Sequence, residues 1–281
     1  MTRWLRLKVS PAQQQRSTSA FFQRWNAGEE GCSAEFSRRA DGGFLLRFHG
    51  IADFVVDPST SAVECVPVRD ADVAWQGIYE QQVQPLLLSL RGEQVFHGGA
   101  IAVGDAAVAF LAPSGAGKST LTTAFAKRGY AFLSDDCLHL DFAQPRIHVH
   151  PHAAHVRLWE DSVAALGEGR SVYVEGSPKP RLEAATDLPH CDRALPLARV
   201  YLLGEGKVDA PAIETLSPSQ ALIGLAANAF VLDIKNPSVL KRNLAAGARL
   251  VREVPLRRLD YPRRYDALES VVAAVLADVA G

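Results

Sequence analysis

The segment Ala112-Pro-Ser-Gly-Ala-Gly-Lys-Ser119 constrains this 281-residue chain more than any other. It follows the apolar run 106–111 and precedes a stretch with helical spacing, so it reads as a glycine-rich turn from a strand into a helix. Apart from Ala112 in place of the first glycine, it matches the phosphate-loop pattern G-x-x-x-x-G-K-[ST]. Gly115 and Gly117 let the backbone turn its N–H groups toward phosphate oxygens. The start of the helix adds partial positive charge there, and Lys118 a full one. The expected nucleotide contacts are Pro113, Ser114, Gly115, Ala116, Gly117, Lys118, Ser119 and Thr120, with the Ser119 hydroxyl on Mg²⁺.

The texture of the chain changes near residue 92. Before it, short strands and turns dominate: 44–48 and 51–56 are strand-like, Gly42-Gly43 and Asp57-Pro58-Ser59 are turns, and 71–90 reads as a helix despite Gly77 and Pro85. Beyond it, apolar strands alternate with helices, the pattern of an α/β core. The spacing predicts a hairpin from Ala100–Val103 and Ala106–Leu111 about Gly104-Asp105, a helix over 119–128 ended by Gly129, and a strand over 130–134. Ser217-Pro218-Ser219-Gln220 has the form of a capping box, and Leu268, Val271, Val272, Val275 and Leu276 recur at helical spacing. The expected organisation is an accessory domain at 1–92 and a phosphate-loop domain at 93–281.

Net charge is −1, from 30 basic and 31 acidic residues, which removes any global attraction to nucleic acid or anionic lipid. Cys32, Cys65, Cys137 and Cys191 are scattered without a C-x-x-C pair, as expected of free thiols in a cytoplasmic protein. The amino terminus shows no signal-peptide pattern, and no apolar run reaches 18 residues, so neither export nor a membrane span is expected.

Asp135-Asp136 follows the next strand, 17 residues after Lys118. In a parallel sheet the carboxyl ends of neighbouring strands share a crevice, so these carboxylates are expected near the terminal phosphate. One could hold Mg²⁺ and the other accept the proton of an attacking hydroxyl. His97-Gly98 lies 21 residues before Lys118. Together, His97-Gly98, the loop 112–119, Arg128-Gly129-Tyr130 and Asp135-Asp136 resemble the catalytic domain of the HPr kinase/phosphorylase family, whose relatives include kinases encoded with lasso-peptide precursors. The likeness is sharp over 95–140. It implies an α/β fold with a strand-rich phosphate-loop kinase core of the HPr kinase and phosphoenolpyruvate carboxykinase type, here with a small N-terminal α+β accessory domain. It further implies ATP and Mg²⁺ as cofactors, Asp135 as base, Ser119 and Asp136 as metal ligands, and His97 tuning Asp135. The Arg-Gly-Leu-Gly segment of true HPr kinase/phosphorylases is missing after the aspartate pair, and residues 1–90 do not look like their regulatory domain. The resemblance therefore points to a specialised peptide kinase.

Two further clusters stand out. His139, His148, His150, His152 and His155 fit the wall of a crevice better than a metal site, since Pro151 interrupts them and no Cys or acidic residue sits at ligand spacing. Residues 241–264 hold eight basic residues against Glu253 and Asp260, a surface suited to an acidic peptide rather than nucleic acid. An ABC-type ATPase is disfavoured by the lack of an L-S-G-G-Q signature. The expected function is ATP-dependent phosphorylation of a serine in a peptide or small protein. By resemblance this is the C-terminal serine of a lasso precursor, with Lys179 and Arg181 as candidates for its carboxylate. The alternatives are a kinase of HPr or of a free hydroxyl compound such as serine, and a non-catalytic nucleotide-dependent module. A homo-oligomer is compatible with all of them.

Overall fold

The structure, a computed structural model, describes residues 6–16, 20–25, 34–57, 62–69, 74–166, 171–172 and 179–281. Cys32, Val73, the turn residues Pro58-Ser59 and the first five residues lie outside them. The described chain is a strand-rich mixed α/β protein that clusters into two units, dividing between Arg91 and Gly92.

The first unit contains β1 (Arg6–Val9), β2 (Gln23–Trp25), β3 (Ala34–Arg38), β4 (Phe44–Phe48), β5 (Ala52–Asp57) and β6 (Ala62–Pro67), in one sheet of order β1-β6-β5-β4-β3-β2. Alternation puts Phe36, Leu46, Phe48 and Phe54 on its buried face. Arg47 and Asp53, directly opposite on β4 and β5, form an ion pair at 2.6 Å. The helix that follows is continuous from Ala74 to Leu90 but not uniform: α1 (Ala74–Ile78) passes through a π turn (79–83) into α2 (Gln84–Leu90). Pro85, which lacks an N–H, follows directly on the π turn, whose wider i→i−5 bonding already interrupts the regular ladder.

The second unit is built on a nine-stranded sheet. Its strands are β7 (Gln94–Phe96), β8 (Gly98–Val103), β9 (Ala106–Leu111), β10 (Phe132–Ser134), β11 (Leu138–Asp141), β12 (His148–His150), β16 (Leu195–Leu203), β17 (Ala212–Thr215) and β18 (Leu256–Asp260). A three-stranded sheet holds β13 (His155–Arg157), β14 (Ser171–Val172) and β15 (Arg181–Glu183). The helices are α3 (Lys118–Ala126), α4 (Glu160–Leu166), α5 (Pro218–Asn228), α6 (Pro237–Glu253) and α7 (Leu268–Ala280). Among the described residues, no helix is long and apolar enough to cross a membrane. The predicted hairpin is present, with Val103 opposite Ala106 and Gly104 in the left-handed region at φ 59°. Both halves of the Ser217/Gln220 capping box form at α5.

β9 is buried on both faces. Val108 and Phe110 pack into a core with Leu121 and Phe125 of α3 and Val271 of α7, while Ala107, Ala109 and Leu111 join a second core with Leu225 of α5 and Leu250 of α6. Sheets covered on both sides by helices read as continuous apolar runs, which is how this strand appears in the sequence.

One topological expectation needs correction. β10 is not the neighbour of β9: β8 lies between them, antiparallel to both. The carboxyl ends of β9 and β10 still emerge at the same edge, with the amino end of β8 between them. β16 and β18 run parallel to β9 and bring their carboxyl ends to that edge too.

Candidate functional site

Four strand ends therefore feed one edge of the sheet: Ala112 after β9, Asp135 after β10, Gly204 after β16 and Tyr261 after β18. His97, just before β8, lies at the same edge. The pairing of β8 with β9 is tight at this edge: a side-chain carbon on Gly98 would stand 2.4 Å from Leu111 Cδ2 and 2.8 Å from the Phe110 carbonyl, so the position suits glycine.

The loop opens onto a cleft of about 870 Å³ lined by all of Pro113 to Thr120. Gly115 and Gly117 take left-handed backbone at φ 81° and 86°, conformations that tax other residues. Ala112 is buried and does not have positive φ, so the alanine that replaces the first glycine meets no backbone demand for one. Gly117 is also the N-cap of α3 and contributes no side-chain cap, which leaves the first amides of the helix open to an anion.

Lys118 departs from the simple picture of a lysine on the cleft surface. It is only 4% exposed, and its Nζ donates to the carbonyls of Ala112 at 2.8 Å and Pro113 at 2.9 Å. Burial lowers its pKa to about 8, opposed by the charges of Asp136 and Asp135. The ammonium thus braces the loop from inside while staying beside the cleft.

The two aspartates occupy different environments. Asp136 lines the cleft and has left-handed backbone, φ 63°. Asp135 is turned inward: Oδ2 accepts the Arg157 N–H at 3.0 Å, while Oδ1 is sealed from water without a partner. Burial first, and the Asp136 charge second, raise its pKa to about 7 against the opposing hydrogen bonds from Arg157 and Ser119. His97 does not bond the Asp135 carboxylate. Its Nδ1 donates to the Asp136 carbonyl at 3.2 Å, and burial, followed by the Lys118 charge, lowers its pKa to about 4, leaving it neutral near pH 7. It holds the aspartate turn through the backbone.

Lys179 lines the cleft with its Nζ 4.8 Å from the Trp159 ring centroid. Arg181 is not among the lining residues; it sits on β15 opposite Arg157, and Arg157 faces the cleft instead. Sequence reasoning missed Arg157, Trp159, Ser162 and Tyr265 as cleft residues. Of these, Ser162 Oγ lies 3.2 Å from Thr120 Oγ1 and 3.0 Å from the Tyr265 hydroxyl. The histidine cluster does not line the cleft. His139 and His150 face each other across β11 and β12, with ring centroids 4.9 Å apart and Glu93 and Asp141 beside them. The basic stretch 241–264 splits: Arg258, Arg263 and Arg264 reach the cleft, whereas Lys241, Arg242, Arg249 and Arg252 ride on α6 outside it.

Seven basic and four acidic side chains line the cleft, a balance suited to polyanions. The donor set also fits a hard divalent cation: Ser119 and Asp136 both line the cleft and offer oxygen ligands, whereas Asp135 does not line it. No family model matches the chain, and no curated protein matches it. Among solved structures it is similar to the Hpr(Ser) kinase/phosphatase from Coxiella burnetii, at 12% identity over 67% of this chain and 99% of that one, with a TM-score of 0.35.

Proposed function

We propose that the chain is an ATP-dependent kinase that transfers a phosphoryl group to a hydroxyl acceptor, with its catalytic machinery in residues 93–281 and an accessory domain in 1–92. The observation that carries this reading is the meeting, at one sheet edge, of a left-handed glycine loop capping α3 and an aspartate pair, Asp136 facing the cleft and Asp135 buried beside it. Phosphoryl transfer asks a protein chiefly for positioning and charge neutralisation. The loop amides and Lys118 would hold the β- and γ-phosphates, and Ser119 and Asp136 would hold Mg²⁺, which neutralises phosphate charge when bound. Asp135 would take the proton of the acceptor hydroxyl as its oxygen bonds to the γ-phosphorus and the bond to the β,γ-bridging oxygen breaks, releasing ADP. A base of pKa near 7 is suited to that step. His97 would keep the aspartate turn in place.

The acceptor we propose is a serine in a peptide or small protein, with the C-terminal serine of a lasso precursor as its most specific form. Lys179 and Arg157 beside Trp159 support an anionic, partly apolar acceptor on the wall nearest Asp135. The test is mass spectrometry after incubation with ATP and Mg²⁺ of a precursor peptide ending in serine, of HPr and of free serine. Phosphate on the peptide is the expected result. Phosphate only on HPr or serine overturns the acceptor, and ATP binding without transfer to any of the three returns the chain to a non-catalytic module.

A further inference from the structure

The cleft has two walls, and they are not equivalent. One, carrying Arg157 and Trp159, adjoins Asp135 through the Arg157 N–H. The other is formed by the ends of β16 and β18, where the Tyr261 hydroxyl comes within 3.1 Å of the position a side-chain carbon on Gly117 would take. If the loop holds a triphosphate, as proposed above, its terminal phosphate must lie toward the aspartates, because the acceptor has to meet its base there. The nucleoside then leaves toward the second wall.

That wall carries a prepared flat surface. The Arg263 guanidinium lies over the Tyr261 ring, 3.9 Å from its centroid, and its Nη2 donates to the Gly204 carbonyl at 2.6 Å. Gly206, at φ 81°, packs against its stem so closely that a side-chain carbon there would stand 2.4 Å from Arg263 Cγ. Asp260 fixes the surroundings by accepting the N–H groups of Gly206 at 2.7 Å and Tyr261 at 2.9 Å. Arg263 is exposed and lines the cleft. A guanidinium pinned on one face by a phenol presents its other face as a stacking surface for a planar aromatic group.

We infer that Arg263, stacked on Tyr261, is the seat of the nucleotide's base. This site separates the nucleoside from the polyphosphate, and two ligands distinguish them: ATP and inorganic tripolyphosphate, each titrated calorimetrically into the full-length wild type, Arg263→Ala and Arg263→Lys. Both variants are expected to lose about tenfold in ATP affinity while tripolyphosphate affinity stays within about twofold. The lysine variant keeps the charge and loses the plane, so its parallel loss identifies stacking. Equal losses for both ligands, full rescue by lysine, or unchanged ATP affinity in Arg263→Ala would overturn the site. Tripolyphosphate binding as tightly as ATP to the wild type would overturn it while sparing the phosphate loop. Failure of both ligands to bind the wild type would bring down the phosphate-loop reading and this site with it.

Discussion

Asp136 is the one non-glycine residue with positive φ among the described residues, and it stands next to a carboxyl group that burial has pushed toward neutrality. A left-handed backbone costs an ordinary residue about 1–2 kcal/mol, less for Asp or Asn. The conformation turns the Asp136 carbonyl toward His97. Asparagine tolerates this backbone as well as aspartate, so Asp136→Asn isolates charge from strain. Asp136→Asn is expected to raise the Mg²⁺ concentration needed for transfer with little change in melting temperature. Asp135→Asn should bind ATP but lose about a hundredfold or more in turnover, the scale of a missing general base. Magnesium titrations of transfer in the three proteins check this, and equal, mild effects from both would remove the pair from the chemistry. The sequence showed two adjacent acids at a useful spacing. It could not show which was buried, because that depends on β13, whose Arg157 N–H covers Asp135. Nor could it show His97 reaching a backbone carbonyl instead of a carboxylate.

At the scale of elements, the hairpin β8–β9 and the helix α3 were legible from short-range signals: apolar runs, Gly104, and the loop glycines. The order of strands was not. β8 lies between β9 and β10 because β10 pairs with its free edge at Ala100 and Ile101, a long-range pairing that no local signal marks. Gly98→Ala is expected to destabilise the protein by about 1–3 kcal/mol in urea denaturation, since the Phe110 carbonyl at 2.8 Å is backbone and gives little. Gly104→Ala, with open space around it, should cost about 1 kcal/mol from its left-handed φ alone. A smaller cost at Gly98 than at Gly104 would mean that β8 does not pack against Phe110 and Leu111 as closely as described. α6 escaped notice as a helix although Asn236-Pro237 marks its start with an N-cap and a first-turn proline. Only Gly247 and Leu250 are buried along it, and exposed Leu240 and Leu244 blur the apolar stripe.

For the molecule as a whole, a cleft lined by seven basic and four acidic side chains lies at the edge of the second unit, where the carboxyl ends of β9, β10, β16 and β18 converge. The sequence located the loop side of this cleft. The opposite wall came from residues 203–207 and 258–268, which reach it only because β16 and β18 run parallel to β9. The central claim is that the loop is built to bind nucleotide phosphates and that Lys118 is part of it. Its buried ammonium makes the expected phenotype double: Lys118→Ala should lose about 1–3 kcal/mol of stability, from two carbonyls left without their donor, and still fold. The most direct measurement is calorimetric titration of ATP with Mg²⁺ into the folded wild type and the folded Lys118→Ala variant. One site per chain in the wild type, weakened about a hundredfold in the variant, is the predicted result; no binding to the wild type, or equal affinity in both proteins, would contradict it.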